Sequence, residues 1–194
     1  MKMIRTAFAA VLATVLAIAA AAAQAQPVSY TLDPDHLIPR FEIGHNGFST
    51  HVGAFMKSAG KATLDFYAKT GSVEVTTQTA SFLSGHAFME SVIKGKDFFD
   101  VEKFPTMVFK STAIRFVGDK PATVDGNLTM LGVTRPVTLR FTRFDCGQHP
   151  RSKKDQCGGN LSGAINRSDF GMKAFIPAVT DEVRLMIQVE GFKD

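Results

Sequence analysis

Gly95-Lys-Asp-Phe-Phe-Asp-Val-Glu-Lys-Phe-Pro-Thr-Met-Val-Phe-Lys-Ser111 packs Phe98, Phe99, Phe104 and Phe109 into a short charged segment without Cys or His. Such a segment needs an apolar surface for its rings, and its polar residues offer little chemistry. Residues up to Lys103 read as a short helix or turn. Thr106 to Ser111 alternates like a strand. The break falls at Phe104-Pro105, because a residue before proline is pushed out of the helical region. What the rings face has to be read from the chain on either side.

That chain is rich in strand patterns. Phe41, Ile43 and His45 alternate with Arg40, Glu42 and Gly44, and Asn46-Gly47 is a turn signal. Thr50 to Met56 and Ala62 to Phe66 are extended, with Gly53 and Gly60 expected as bulges or bends. Ser72 to Thr79 is rich in β-branched residues. Phe88 to Val101 is the one helical candidate, with Phe88, Val92 and Ile93 at helical spacing. Beyond Ser111 come Ala113 to Val117, then Thr123 to Met130, with Val124, Leu128 and Met130 on one side. Val137, Leu139 and Phe141 alternate, as do Val183, Leu185, Ile187 and Val189; Asn160 to Asn166 is a further strand. About eight strands joined by turns favour an antiparallel barrel or sandwich over a βαβ fold.

The N-terminus reads as a leader. Lys2 and Arg5 precede an apolar run from Ala7 to Ala23, and Ala23-Gln24-Ala25 offers a cleavage site, so residues 1–25 are assigned as a signal peptide and 26–194 as one domain. An uncleaved anchor is the competing reading. Without Lys2 and Arg5 the basic residues fall from 22 to 20 against 18 acidic ones, so the mature net charge is +2 and gives little support for a nucleic-acid partner. Cys146 and Cys157 are the two cysteines, and in an exported chain they read as a disulfide closing a polar loop.

Chemistry is sparse. Of the five histidines, His45 and His51 flank a turn and can meet across it, but no H-x-H or H-E-x-x-H spacing supports a metal site. There is no phosphate loop and no nucleophile elbow. Asp33 with Asp35, and Asp97 with Asp100, fit caps and turns. No catalytic residue, metal or cofactor is expected. What stands out is the Phe and Met content, 17 and 8 residues. These side chains either fill a core or line a cavity, and an eight-stranded barrel has room for one small apolar ligand.

Four phrases in order resemble the YceI-like, polyisoprenoid-binding family: Tyr30 to His45, Lys96 to Pro105 with Phe109-Lys-Ser, Asp125 to Val137, and Asn166 to Met172. The resemblance implies an all-β fold, an extended lipocalin-like eight-stranded antiparallel β-barrel with one short helix near Phe88–Val101. It further implies a periplasmic or secreted binder of an isoprenoid quinone or polyprenyl lipid, the lipid being the ligand and not a cofactor. The chain departs from the family pattern at Leu37, at Pro39 and over Met89 to Lys94, and its cysteine segment is not a general family feature.

Strand parity and motif position together give candidate ligand-binding residues Phe41, Ile43, Phe55, Phe88, Phe98, Phe99, Phe109, Leu128, Met130 and Phe170. His36, Arg167 and Asp169 are expected to hold the barrel ends. The expected role is carriage, storage or sequestration of the lipid, with room for transient membrane contact and a homodimer. The alternative is promiscuous, stress-related sequestration of apolar small molecules. An enzyme using His45 or His51 is a third reading that lacks the expected motifs.

Overall fold

The computed structural model describes residues 26–194; the leader assigned to residues 1–25 lies outside the described residues. The strands are β1 (Val28–Leu32), β2 (Ile38–His45), β3 (Ser49–Phe55), β4 (Ser58–Asp65), β5 (Thr70–Gln78), β6 (Phe82–Leu83), β7 (Thr106–Val117), β8 (Lys120–Met130), β9 (Val133–Gln148), β10 (Asp155–Asn166) and β11 (Val179–Lys193). The helix α1 spans Ala87–Lys94.

All pairings are antiparallel, in the order β1-β4-β5-β7-β8-β9-β10-β11, and β11 returns to β1. That ring has eight strands and no free edge. The remaining segments continue it. β2 prolongs β1 along β11, β3 precedes β4 along β2, and β6 prolongs β5 along β3. Three adjacent strands are therefore broken, at Asp33–Leu37, at Met56-Lys57 and at Thr79–Ser81. The breaks are sewn by backbone: Met56 N–H donates to Ser81 O, and Gln78 N–H to Lys57 O.

Gly53 and Gly60, expected as bulges or bends, carry no bulge and are sites of close approach. The β2–β3 and β4–β5 registers run unshifted through Gly53 and Gly60. A side chain at Gly53 would strike the Phe41 and Phe82 rings, and one at Gly60 would strike the Glu74 carbonyl. Real bulges lie elsewhere. β7 is one strand where the sequence suggested two, with a register shift between Ser111 and Ala113. An extra residue moves its inward face from Met107 and Phe109 to Ile114 and Phe116.

A second shift, where Leu161 faces Phe141 and Asn160 faces Arg143, turns Phe144 onto the core and leaves Cys146 exposed opposite Cys157. β9 and β10 therefore extend into the expected loop. Cys146 and Cys157 are directly opposed strand residues joined by a disulfide. Only residues 149–154 form the connection.

The helix is shorter than Phe88–Val101. It starts at His86, whose Nδ1 accepts from Met89 N–H, and ends at Gly95, which is extended. Phe98 and Phe99 follow in tight turns closed by Phe98 N–H to Gly95 O and Phe99 N–H to Ile93 O. Thr79 then fixes the entry to β7: its hydroxyl donates to Phe104 O at 2.7 Å and its N–H to Pro105 O at 2.9 Å.

Side chains fill the end of the barrel that holds Val28 and Asp194. Tyr30, Leu64, Ile114, Val124, Val137, Leu139 and Leu161 are buried there, and the rings of Phe66, Phe116 and Phe144 close the bottom. The other end is different: a second buried cluster of Phe55, Phe82, Phe98, Phe99, Met130, Phe170 and Met172 leaves a space within it.

Candidate functional site

The inward faces of β2, β3, β7, β8 and β11 enclose a cavity of about 590 Å³, roofed by α1, the turn after it and the segment before β11. Its size lies within the range of sites for small apolar ligands. Parity builds the wall: Phe41 and Ile43 of β2 face Leu185 and Val183 of β11, and Phe109 of β7 faces Leu128 of β8. Gly53 on β3 leaves room for the Phe41 ring, which stacks on Phe82 at 5.8 Å between centroids.

Nine of the candidate residues lie on this wall: Phe41, Ile43, Phe55, Phe88, Phe98, Phe99, Phe109, Leu128 and Met130. Phe170 does not. It sits in the turn Arg167–Phe170, is 2% exposed, and borders a separate cleft of about 220 Å³ with Arg135 and Asp169. Its ring backs the wall because that turn lies outside the strands' inward face. Several lining residues had not been singled out, among them Phe82, Val92, Ile93, Met107, Met172 and Phe175. Val92 and Ile93 were legible at helical spacing; Phe82, on a strand of two residues, had no periodic signal.

The buried polar side chains of the wall are engaged. Thr77 Oγ1 bonds Ser58 Oγ at 2.9 Å, both side chains being buried. Arg167, 1% exposed, gives its guanidinium to four carbonyls: Nε to Thr180, Nη1 to Met172, and Nη2 to Ala174 and Val179. Burial pulls its pKa below the usual arginine value, and Asp181 opposes that. Asp181 accepts from Ser168 N–H and Oγ at 2.8 and 2.7 Å; chiefly these bonds lower its pKa. Arg167 thus holds the segment 172–180 that forms part of the roof, as expected of a residue securing a barrel end. Asp169 borders the outer cleft, and His36 pairs with Asp33 at the β1–β2 break.

The lip is more polar. His45 and His51 do meet across the β2–β3 turn, their rings 4.6 Å apart and nearly edge-to-face. Asn46 Nδ2 lies 3.3 Å from His45 Nδ1. Among the described residues no group of three or more His, Cys, Asp or Glu is placed to hold a metal ion. The arrangement offers an apolar volume with hydrogen-bonding groups at its entrance.

Comparison with known proteins agrees with this architecture. The sequence is 38% identical over 176 residues to a UPF0312 protein of Pseudomonas putida strain GB-1, covering 89% of this chain and 90% of that one. A UPF0312 protein of Pseudomonas fluorescens strain SBW25 is 36% identical over 175 residues, again with 89% and 90% covered. The crystal structure of Burkholderia cenocepacia BcnA superposes with a TM-score of 0.68 at 27% identity, over 82% of this chain and 98% of that one. A polyisoprenoid binding domain from Saccharophagus degradans shares the fold at 13% identity, with a TM-score of 0.63 over 86% and 99% of the two chains. The sequence model of the YceI-like domain matches residues 30–191, the full circuit of the barrel from β1 into β11, and the chain belongs to that family.

Proposed function

We propose that the protein binds a long apolar isoprenoid, a quinone or polyprenyl lipid, with its tail in the cavity. The observation that carries this reading is a wall of Phe, Ile, Leu, Met and Val whose interior polar groups, Thr77 and Arg167, are already satisfied. Among the described residues, no buried polar side chain of the wall is left without a partner. Burial drives binding: each methylene removed from water contributes about 0.8 kcal/mol, so about ten of them contribute about 8 kcal/mol before ordering costs. Membership of the YceI-like family supports this reading, and a neighbour of the same fold is a polyisoprenoid binding domain. The role is carriage, storage or sequestration without catalysis.

The compartment is exported, periplasmic or extracellular, with residues 1–25 removed as a signal peptide. The leader pattern and the Cys146–Cys157 disulfide support this. N-terminal sequencing of protein taken from its own host should begin at Gln26; retention of the leader counts against export by cleavage.

Native mass spectrometry and solvent extraction of the host-purified protein test the ligand. An isoprenoid is expected in the extract. Protein that is empty and also fails to take up isoprenoid quinones overturns the reading. A second reading, promiscuous sequestration of apolar small molecules, is favoured by the lack of a free polar anchor inside the cavity. Competition decides between them: unrelated apolar drugs displace the quinone at similar concentrations only if the site is promiscuous.

A further inference from the structure

Large apolar side chains are unevenly exposed. Phe48 (94%), Phe88 (71%), Phe175 (63%), Val52, Leu83 and Ile176 all lie at the cavity end, on three separate segments. These segments form one collar. Asn46 N–H donates to Ala178 O, tying the β2–β3 turn to the segment before β11. Ala54 of β3 pairs with Leu83 of β6, which leads into α1. Phe98, after α1, stacks on Phe175 at 6.2 Å and completes the circuit. Val52, Phe88 and Phe175 also line the cavity, so the collar is the rim of its mouth.

The charge pattern says what the collar meets. Residues 46–52, 83–89 and 173–180 contain no Asp or Glu and a single Lys, Lys173, in a chain with 21% charged residues. Two carboxylates that follow these segments are held by backbone N–H groups: Glu90 Oε1 accepts from Ser84 and Gly85, and Asp181 from Ser168; Asp97, beside buried Phe98, is exposed. The opposite end carries Lys69 paired to Asp119 and Lys120 paired to Asp145 in its turns and strand ends, with Arg151, Lys153 and Lys154 in the β9–β10 connection. A protein–protein interface usually surrounds its apolar core with a polar rim; here the three exposed segments of the rim are apolar and carry no carboxylate. Rings mounted on such a rim suit the boundary between lipid headgroups and acyl chains, where aromatic side chains partition and where carboxylates are repelled by anionic lipid.

We infer that the collar of Phe48, Val52, Leu83, Phe88, Phe175 and Ile176 docks on a phospholipid bilayer and brings the cavity mouth onto the lipid surface. This rests on the isoprenoid reading: a chain that leaves a bilayer for the cavity then crosses no water. The polar lip of His45, Asn46 and His51 lies at headgroup level in that pose.

The test uses the mature chain and vesicles of phosphatidylcholine with phosphatidylglycerol. Phe48 and Leu83 lie outside the cavity wall, so the double variant Phe48→Ser, Leu83→Ser leaves the site intact. A control, Tyr67→Ser with Val117→Ser, removes exposed apolar groups at the far end. Wild type and control are expected to float with the vesicles, and the collar variant to partition about tenfold more weakly. Uptake of fluorescently labelled farnesol is measured separately, without vesicles. Intact uptake with lost flotation supports the collar; lost uptake in wild type overturns the isoprenoid reading instead. Wild type that stays off the vesicles, or a collar variant that floats like wild type, overturns the proposal. So does sedimentation showing a dimer that the collar substitutions dissociate, since the collar's occupant is then a second copy.

Discussion

Phe99 stands edge-on to Phe55, with ring centroids 5.1 Å apart and planes at 87°. Phe55 comes from β3 and Phe99 from the turn after α1, so this contact fastens the roof of the cavity to its wall. Both rings are buried, at 3% and 7% exposure, and Phe82 joins them at 5.7 and 6.4 Å. Truncating a buried Phe to Ala costs about 3–5 kcal/mol where the surroundings relax incompletely. Relaxation here is limited, because the space beside the ring is a cavity already. Phe99→Ala is therefore expected to lose about 3 kcal/mol in urea unfolding of ligand-free protein. A loss near zero means the roof does not depend on this pair.

Gly53 supports a prediction about binding. A Cβ there lies less than 3.0 Å from the Phe41 and Phe82 rings, and both rings line the cavity. The wall cannot yield outward, since Phe41 sits within the β2–β3 ladder opposite Gly53. In Gly53→Val the rings can move only into the cavity. The variant is expected to stay folded by circular dichroism and to take up isoprenoid at well below wild-type stoichiometry. Unchanged uptake by a folded variant removes Phe41 and Phe82 from the binding wall.

What was legible in the residues follows this geometry. Period-two patterns such as Phe41-Ile43 and Val183-Leu185-Ile187 mark strands whose inward faces carry the wall, and Asn46-Gly47 marks a turn with both residues at positive φ. Bulges erased the pattern elsewhere. The shift after Ser111 split β7 in two on paper, and the shift beside Phe141 hid the last third of β9, because alternation changes parity there. Gly95 ends α1 inside an apolar pattern that continues through Phe98 and Phe99, so periodicity overran the helix. Phe82 and Phe175 reach the cavity from a two-residue strand and an irregular segment, where no period exists to read. The apolar collar was invisible in sequence for the same reason: its members meet only once the barrel has closed.

The disulfide separates stability from binding. Cys146 and Cys157 join β9 to β10 at the end away from the cavity, and neither lines it. The Tyr30 hydroxyl donates toward Cys157 Sγ at 3.4 Å, linking the bridge to β1. For a sequence separation of 11 residues, the chain-entropy treatment puts the stabilisation at about 3 kcal/mol. Cys146→Ser with Cys157→Ser is expected to lose about that amount in urea while keeping wild-type isoprenoid uptake at low temperature. Loss of uptake without unfolding shows that the two ends of the barrel are coupled.

The β1–β2 break carries a pH dependence. His36 Nδ1 lies 2.7 Å from Asp33 Oδ2, and this bond is the main cause of a raised His36 pKa and a lowered Asp33 pKa. Glu190 and Asp35 add to the first shift; the Asp35 N–H and the more distant His149 add to the second. With the His36 pKa raised, its contribution is complete below the ordinary value of 6.5 and disappears as pH rises through the folded value. With the Asp33 pKa lowered, its contribution is complete above the ordinary 3.8 and disappears as pH falls through the folded value. The pair therefore acts fully between 3.8 and 6.5. Because the His36 side chain is 48% exposed, solvent screening keeps the effect below about 1 kcal/mol. In a pH series of urea unfolding, the stability gap between wild type and His36→Gln should be widest near pH 5 and narrow on both sides, at about pH 8 and about pH 3. A gap that stays constant across the series assigns the role of His36 to packing rather than charge.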